Sequence, residues 1–351
     1  MQRAPIAHAH TAAGMAKRLL CLAPLALAAC GSIATPEPTP SAPLPSSSPT
    51  IEATRCGPGQ CGSFVDVPPA PSATIAPNPT ATQPADFECS FFGLEWPIEG
   101  AGPSIDGTYR FGSTQEGQRE PHHGVEIPSP AGTPVVAPAG GRVQFAGEDR
   151  ADRLGPYPGF YGNVVVLSLD VPSGAEPVYL LFGHLSTISM HPGHEVQSGE
   201  ELGLVGSSGV AIGAHLHFEV RVGANRYEAV RNPELWLKPQ MRQAGQTGVL
   251  AGRVVDRQGR LAPGKQLTVR RLDGGAGSRS TYFLTTYELE AGTPGSDGLL
   301  RENFVLSGLP AGDYEVAAFS PSLRQTRVRV ESGTLAWVAF SPGEVGPECT
   351  Q

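Results

Sequence analysis

The 351-residue sequence has little positive charge. Lys and Arg number 25 against 33 Asp and Glu, which gives a formal net charge of −8. Nucleic acids are bound through a dense positive field that neutralises their phosphates. The sequence lacks such a field, and we therefore expect no nucleic-acid partner.

The apolar run near the N-terminus, 19–29, is too short to be a permanent membrane anchor. It holds eleven residues, whereas a helix needs about twenty to cross a bilayer. Lys17 and Arg18 precede the run, and small residues end it just before Cys30. A charged start, a short apolar centre and a small-residue end are typical of an export signal. The sequence therefore predicts a signal peptide over residues 1–30.

The end of this signal has a further feature. Leu27-Ala28-Ala29-Cys30 resembles the lipobox of bacterial lipoproteins, in which the cysteine is acylated after cleavage. The resemblance implies an exported protein that is anchored to the cell-envelope membrane through lipid on Cys30. Met15 would then be the true start of the signal. An ordinary signal peptide that happens to contain a cysteine is the alternative.

Glycine and proline are abundant, at 44 and 35 residues, which indicates turns and linkers rather than helices. Residues 31–88 are rich in Pro, Ser, Thr and Ala and have few apolar side chains. Burial of so few apolar groups cannot offset the conformational entropy that ordering would remove. We expect an extended, disordered linker between the membrane and the folded region.

Two of the six cysteines belong to the predicted signal, and four remain: Cys56, Cys61, Cys89 and Cys349. An even number in an oxidising compartment suggests disulfides, with three pairings possible. The short turn between Cys56 and Cys61 allows a local bridge, which would leave Cys89 and Cys349 to join the ends of the folded region. A cysteine-ligated metal is disfavoured because two of these cysteines lie in the linker.

From Trp96 to Trp236 the sequence has the pattern of short strands separated by Gly and Pro. Runs of β-branched and aromatic residues bounded by turn residues predict strands. These runs are 135–137, 142–147, 163–167, 178–182 and 202–205. No stretch keeps a helical period over three turns. We expect an antiparallel β domain over residues 89–240.

The segment 214–222 alternates polar and apolar residues, and successive side chains of a strand point to opposite faces. The side chains predicted to face a core are Leu216, Phe218, Val220 and Val222. The side chains predicted to share the other face are His215, His217, Glu219 and Arg221. Two imidazoles on one face can present a metal ligand and an acid–base group to the same point. A polar strand face with two incidental histidines is the alternative.

Other histidines extend this pattern. His122 and Glu126 lie four residues apart around Gly124, which makes a helix unlikely there and places Glu126 on the next strand. His184 follows the apolar run 178–182. Two imidazoles and one carboxylate leave the fourth position of a zinc ion open for water, as a catalytic zinc site requires.

These motifs together resemble the signature of lysostaphin- and LytM-type zinc endopeptidases, which are peptidoglycan metallopeptidases. The resemblance covers about residues 95–237 and includes each motif in order. The motifs are His122-x-Gly124-x-Glu126, Gly183-His184-Leu185-Ser186, Gly203-x-x-Gly206-x-Ser208-Gly209 and Gly213-Ala214-His215-Leu216-His217-Phe218-Glu219-Val220-Arg221. It implies a small, strongly curved antiparallel β-sheet with the site in its groove.

The resemblance also implies roles for single residues. His122, Glu126 and His217 would be ligands of Zn²⁺, His215 would be the general base, and His184 would help to hold the developing oxyanion. The reaction would be hydrolysis of a peptide bond by metal-activated water. The substrate partners would be the stem peptides or cross-bridges of bacterial peptidoglycan.

One position departs from the pattern, because the family usually has Asp where this chain has Glu126. The backbone or the rotamer must absorb the extra methylene to keep a normal Zn–O distance. The alternative function is therefore a zinc-poor, non-catalytic lipoprotein that binds the wall or regulates a hydrolase. We expect Glu219 to be solvated rather than to brace a histidine, and His123 to be an exposed loop residue.

Residues 248–341 predict a second β domain. Alternating strands are expected at 249–255, 267–271, 304–306, 314–319, 327–330 and 337–340, which is typical of a small β-sandwich. Two motifs, 252–259 and 309–314, resemble carboxypeptidase-regulatory-like modules. This region contains no histidine, and we expect it to be a spacer; binding of the wall or of a carbohydrate is the alternative. A short tail, 342–351, follows. The predicted fold class is all-β.

Overall fold

The computed structural model describes residues 93–340, apart from 101–102, 151–153, 172–174, 243–244, 274–279, 288–293 and 320–321. The described residues all belong to one compact unit. The predicted signal with Cys30, the linker, the four cysteines considered for disulfides and the tail lie outside the described residues. Within the described part, no helix has the length and apolar character that crossing a membrane requires.

The regular secondary structure of the described residues is almost entirely β-strand, which confirms the all-β fold class. The N-terminal strands are β1 (Val125–Pro128), β2 (Pro134–Val136), β3 (Gly141–Glu148), β4 (Asn163–Leu169), β5 (Val178–Ile188), β6 (Glu195–Val196), β7 (Glu201–Val205), β8 (His215–Val222) and β9 (Val230–Arg231). The C-terminal strands are β10 (Met241–Arg242), β11 (Gly245–Val254), β12 (Gln266–Arg271), β13 (Thr281–Thr285), β14 (Phe304–Pro310), β15 (Gly312–Phe319), β16 (Leu323–Val330) and β17 (Leu335–Phe340). Two short 3₁₀-helices are Tyr227–Ala229 and Pro233–Leu235.

Strands β1 to β9 form one antiparallel sheet. Its main path runs β1-β8-β5-β4-β3-β6, while β7 pairs with β2 and β5 and β9 pairs with β8. Strand β8 therefore lies between β1 and β5. The register places Glu126 opposite His217 on β1 and β8, and Gly183 opposite His217 on β5 and β8. Pairing of these three strands brings the predicted motifs together.

Gly124 allows the approach of β1 to β8. A Cβ atom at this position would lie 2.5 Å from the carbonyl oxygen of Phe218 and 2.8 Å from Nε2 of His217. No side chain fits at such distances without moving the backbone of β8. The glycine between His122 and Glu126 is therefore a steric requirement of the site.

The two faces of the sheet pack against different partners. Leu216, Phe218 and Val220 of β8 are fully buried and join the main core, as the alternation predicts. A smaller cluster, which includes Tyr161 and Leu181, covers the opposite face. The sheet is thus buried on both sides around β8.

The C-terminal strands form two four-stranded sheets that enclose a second core. One sheet has the order β10-β11-β14 with β17 parallel to β11, and the other has the order β13-β12-β15-β16. Strand β13 was not predicted. Within the part of the chain that the structure describes, it pairs with β12 at the edge of the sheet, and its Phe283 is 73% exposed. Its apolar residues, 282–284, are consecutive, so it lacks the alternation of the predicted strands.

Strand β11 contributes to both cores. Leu250 and Val254 belong to the core of the β-sandwich, whereas Val249 and Ala251 belong to the core beneath the N-terminal sheet. Because side chains alternate along a strand, a single strand closes one core with each face. Tyr287 is also buried in the N-terminal core. The two predicted domains therefore share a buried interface.

The interface contains a buried carboxyl group with an altered affinity for protons. Glu302 is fully buried and accepts hydrogen bonds from the backbone N–H of Asp297 at 3.0 Å and from Tyr287 Oη at 3.3 Å. Burial raises the pKa of Glu302 to about 8, and the nearby charge of Asp297 acts in the same direction. The folded protein therefore keeps this proton to a higher pH than the unfolded chain does.

We expect the free energy of unfolding to decrease as pH rises from about 5 to about 8, by at most about 1.4 kcal/mol per pH unit from this group. Replacement Glu302→Gln should flatten that dependence, because the amide cannot ionise. Urea unfolding across this pH range measures the slope. The exposed Glu331 provides a control, Glu331→Gln, which should keep the wild-type slope; an equal slope in Glu302→Gln would contradict the prediction.

Candidate metal centre

Three side chains from two strands and a loop converge in one buried place. His122 precedes β1, Glu126 lies on β1 and His217 lies on β8. Nε2 of His122 lies 3.1 Å from Oε1 of Glu126, and Nδ1 of His217 lies 3.2 Å from the same oxygen. The two imidazole nitrogens are 3.4 Å apart. Among the described residues, this group has the composition and spacing to hold a metal ion.

Outer hydrogen bonds fix which nitrogen of each ring carries a proton. Nδ1 of His122 donates to the carbonyl oxygen of Tyr109 at 2.9 Å, and the two rings stack with centroids 4.0 Å apart. Nε2 of His217 donates to Oε1 of Glu219 at 3.1 Å. Carbonyl and carboxylate oxygens only accept, so the inner nitrogens of the two neutral rings keep their lone pairs. Such outer partners orient metal-binding histidines in general.

The arrangement fits a divalent cation. Without one, the lone pairs of His122, His217 and Glu126 face one another, and only a proton can relieve their repulsion. Burial lowers the pKa of His217, but Glu126 and Glu219 outweigh burial and raise it to about 9. Burial raises the pKa of Glu126, but His217 and His122 outweigh it and hold that pKa well below 4.5. Two nitrogens and one oxygen are a ligand set that zinc accepts.

His215 lies beside the three converging residues. Its Nδ1 donates to the carbonyl oxygen of Gly213 at 3.1 Å, and its Nε2 lies 2.9 Å from Oε2 of Glu126. The side chain is 13% exposed, more than that of His122 or His217. The second carboxylate oxygen of Glu126 is thus directed at His215, while the first is directed at the other two rings.

His184 lies next to His215, and the centroids of the two imidazole rings are 4.9 Å apart. Its Nδ1 donates to the carbonyl oxygen of Ser208 at 2.8 Å, which leaves Nε2 of the neutral ring as an acceptor. Burial, with a contribution from His217, lowers the pKa of His184 to about 4. Its φ of 64° is an unfavourable backbone conformation for a non-glycine residue, which is a feature of functional sites.

The expectation that Glu219 is solvated is wrong. Glu219 is fully buried and accepts hydrogen bonds from His217, from Nε of Arg221 at 2.7 Å and from the hydroxyl of Tyr161. Burial raises the pKa of this carboxyl group, but Arg221 and His217 outweigh burial and lower it to about 2. Residues 154–161 cover this face of β8, since Arg221 donates to the carbonyl oxygen of Leu154 at 2.8 Å. Alternation along one strand cannot reveal such a cover.

The expectation that His123 is exposed is also wrong. His123 is 6% exposed, its ring stacks on Tyr227 at 3.6 Å, and its Nδ1 donates to the carbonyl oxygen of Tyr227 at 2.9 Å. Burial lowers its pKa to about 4. It lies outside the group of converging ligand atoms. His123 packs beside the site.

Two contributors were missed by sequence reasoning. Tyr161 reaches Glu219 from the segment before β4, and the carbonyl oxygen of Tyr109 reaches His122 from the loop before β1. A backbone carbonyl carries no sequence signal of its own. Tyr161 lies 58 residues from Glu219 along the chain, so no local motif links the two.

The geometry agrees with comparisons of the sequence with known proteins. A β-sheet that brings two imidazoles and a carboxylate together is an arrangement suited to binding a metal ion. Residues 120–229 match the model of peptidase family M23.

Several curated proteins are similar to this chain. The cell division protein DipM of Caulobacter vibrioides is 31% identical over 184 residues, which are 52% of this chain and 27% of DipM. The DD-carboxypeptidase/endopeptidase Mpg of Neisseria meningitidis is 36% identical over 118 residues, 32% of this chain and 24% of Mpg. The peptidoglycan DD-endopeptidase ShyB of Vibrio cholerae is 32% identical over 115 residues, 33% of this chain and 24% of ShyB. This chain spans about a quarter of the length of these relatives.

We expect the replacement Glu219→Gln to weaken binding of Zn²⁺ about 10- to 100-fold, because loss of an outer partner of a ligating histidine has that effect in general. The amide keeps the volume of the carboxylate but removes its charge. Competition with a chromophoric chelator measures the affinity. The control is Glu195→Gln, since Glu195 is exposed and pairs with Arg142 on the surface. Zinc affinity equal to that of the control would refute the prediction.

Proposed function

We propose that the protein is a zinc-dependent endopeptidase that hydrolyses peptide cross-links of bacterial peptidoglycan. The observation that carries this proposal is the convergence of three possible ligand atoms, Nε2 of His122, Oε1 of Glu126 and Nδ1 of His217, at mutual distances of 3.1–3.4 Å. These three residues are the proposed zinc ligands. Bound zinc supplies Lewis-acid chemistry and lowers the pKa of a water molecule to about 7.

His215 is the proposed general base. Its Nδ1 is held by the carbonyl oxygen of Gly213, which turns Nε2 towards the site, where it faces Oε2 of Glu126. That nitrogen can take the proton of the attacking water and later give it to the leaving amine. Such acid–base assistance contributes about 10²- to 10⁴-fold in rate. The partial exposure of the side chain gives a substrate access to it.

His184 is the proposed partner of the developing oxyanion. In its neutral form the ring accepts at Nε2, because Nδ1 already donates to Ser208. It donates to an oxyanion only after Nε2 has gained a proton. The neighbouring position of His215, with ring centroids 4.9 Å apart, gives His184 access to the same substrate atoms. Stabilisation of such a charge is often a large contribution to catalysis.

Glu126 supports activity, although its side chain is one methylene longer than that of the Asp usual in the family. Its Oε1 reaches both proposed histidine ligands, and its Oε2 reaches His215 at 2.9 Å. The longer side chain therefore delivers one oxygen to the metal position without loss of the histidine contacts. This geometry favours a catalytic protein over the non-catalytic wall-binding alternative.

The substrate class rests on the M23 domain and on the relatives that carry it. ShyB is named as a peptidoglycan DD-endopeptidase and Mpg as a DD-carboxypeptidase/endopeptidase. We extend that substrate class, the peptide parts of peptidoglycan, to this chain. An exported protein that is anchored through lipid on Cys30 would have access to such a substrate.

We expect His215→Ala to keep its zinc but to lose hydrolysis by about 10²- to 10⁴-fold, because the variant retains the ligands and lacks the proton acceptor. Metal analysis gives the zinc content, and mass spectrometry of a digest of defined muropeptides gives the rate and the bond cleaved. His191→Ala is the control, since His191 is an exposed turn residue. A folded wild-type protein that binds no zinc and cleaves no muropeptide would refute the proposed function.

Lipid anchoring has a separate test. The expressed protein should partition into detergent, whereas the Cys30→Ala variant should stay in water, because only the wild type can be acylated at that position. Phase separation followed by immunoblotting measures the two fractions. Equal partitioning of the two proteins into water would end the lipoprotein hypothesis.

A further inference from the structure

We infer that the C-terminal β-sandwich positions the proposed zinc ligand His122 through the segment Tyr109–Ser113. This inference rests on the proposed function, in which His122 binds zinc. It gives the C-terminal domain a role in the metal site that a spacer would not have. Tyr287 and Ser307 are the positioning residues that the sandwich contributes.

The segment Tyr109–Ser113 holds His122 by its ring and by its backbone. The carbonyl oxygen of Tyr109 accepts from Nδ1 of His122, and the Tyr109 ring stacks on the imidazole. The backbone N–H of Gly112 donates to the carbonyl oxygen of His122 at 2.8 Å. The backbone N–H of His122 donates to the carbonyl oxygen of Ser113 at 3.0 Å. Neither His122 nor the described residues of 103–121 lie in a strand. These hydrogen bonds therefore hold the backbone of His122 in place, as strand pairing in the sheet holds the backbones of Glu126 and His217.

Tyr287 supports the segment from the other side. Its ring meets the ring of Phe111 edge-on, with centroids 5.0 Å apart, and both side chains are at least 98% buried. A Cβ atom on Gly112 would lie 2.8 Å from Cβ of Tyr287, and Gly112 has a φ of +72°. Only glycine allows so close an approach in this conformation. The backbone that binds His122 is thus packed directly on a residue of the C-terminal domain.

A second support is ionic. Arg110 donates to both carboxylate oxygens of the buried Glu234, at 3.0 and 2.9 Å. The same carboxylate accepts from the backbone N–H of Ser307 at 2.8 Å and from its hydroxyl at 2.7 Å. Glu234 therefore joins the segment to β14 of the sandwich. A single nitrogen of Arg110, Nη1, makes both bonds, and the Glu234 side chain that joins Arg110 to Ser307 is fully buried while that of Arg110 is 17% exposed.

The two supports have a common consequence. Loss of either lets the Tyr109–Ser113 segment move, and the ring of His122 then loses its fixed tautomer and direction. Outer partners of ligating histidines are worth about 10- to 100-fold in metal affinity. Tyr287 contacts the Tyr109–Ser113 segment rather than His122 itself. We therefore expect its loss to reduce zinc affinity by a factor at the lower end of that range.

The test uses full-length protein with matched tyrosine variants. Tyr287→Leu removes the ring that supports Phe111 and Gly112, while Tyr287→Phe keeps that ring. Tyr314→Leu is the control for a general loss of stability, because Tyr314 is equally buried but packs in the sandwich core, with its hydroxyl donating to Pro310 at 2.7 Å. Circular dichroism first establishes a temperature at which all variants are folded.

Two readouts separate positioning from stability. Amide hydrogen exchange of Gly112 and His122, measured on metal-free protein, should accelerate about tenfold in Tyr287→Leu and stay within about twofold of wild type in Tyr287→Phe and Tyr314→Leu. Zinc affinity, measured by chelator competition, should fall about tenfold in Tyr287→Leu alone. The absorption spectrum of the Co²⁺-substituted protein should change in the same variant.

The outcomes distinguish this inference from the proposed function. Wild-type exchange rates and zinc affinity in Tyr287→Leu, or equal losses in Tyr314→Leu, would overturn the inference and leave the zinc endopeptidase intact. A wild-type protein that binds no zinc would refute the proposed function and, with it, the inferred role of the sandwich in metal binding.

Discussion

Mutual repulsion among three lone pairs is the constraint on which the rest of the site depends. His122, Glu126 and His217 direct three possible ligand atoms at one point in a largely buried part of the protein. Such atoms stay together only if a positive charge lies between them and if the surrounding chain prevents the rings from turning away. Zinc meets the first condition in the proposed function. The second is met by hydrogen bonds that the outer ring nitrogens donate to the carbonyl oxygen of Tyr109 and to the carboxylate of Glu219.

The outer partners come from parts of the chain that the sheet alone does not organise. Glu219 is held by Arg221 and Tyr161, so a buried network behind β8 supports one ligand. Tyr109 belongs to a loop that packs on Tyr287 and, through Arg110, on Glu234, so the C-terminal sandwich supports the other. In the proposed site, the contacts that orient the two histidines are therefore distributed over the two β domains rather than confined to the sheet that carries the motifs.

Sequence patterns could predict the strands and the converging side chains because both depend on local periodicity and on short motifs. The alternation over 214–222 correctly separated the core residues of β8 from His215 and His217. Burial of Glu219 and His123 could not be predicted in the same way, since residues 154–161 and Tyr227 cover them from distant parts of the sequence. Strand β13 was missed because an edge strand with an exposed Phe283 lacks a clear apolar pattern. The contacts between the two β domains likewise have no local signal.

The two-sided burial of β11 has a consequence for how such a protein can change over evolutionary time. Modules that are joined by a flexible connection can be exchanged, duplicated or lost with little harm to their neighbours. Here Val249 and Ala251 complete one core, while Leu250 and Val254 complete the other. Removal of the sandwich would leave the hydrocarbon beneath the N-terminal sheet facing water. Loss or exchange of the C-terminal region at the 240–245 boundary would therefore expose apolar surface in the region that carries the site.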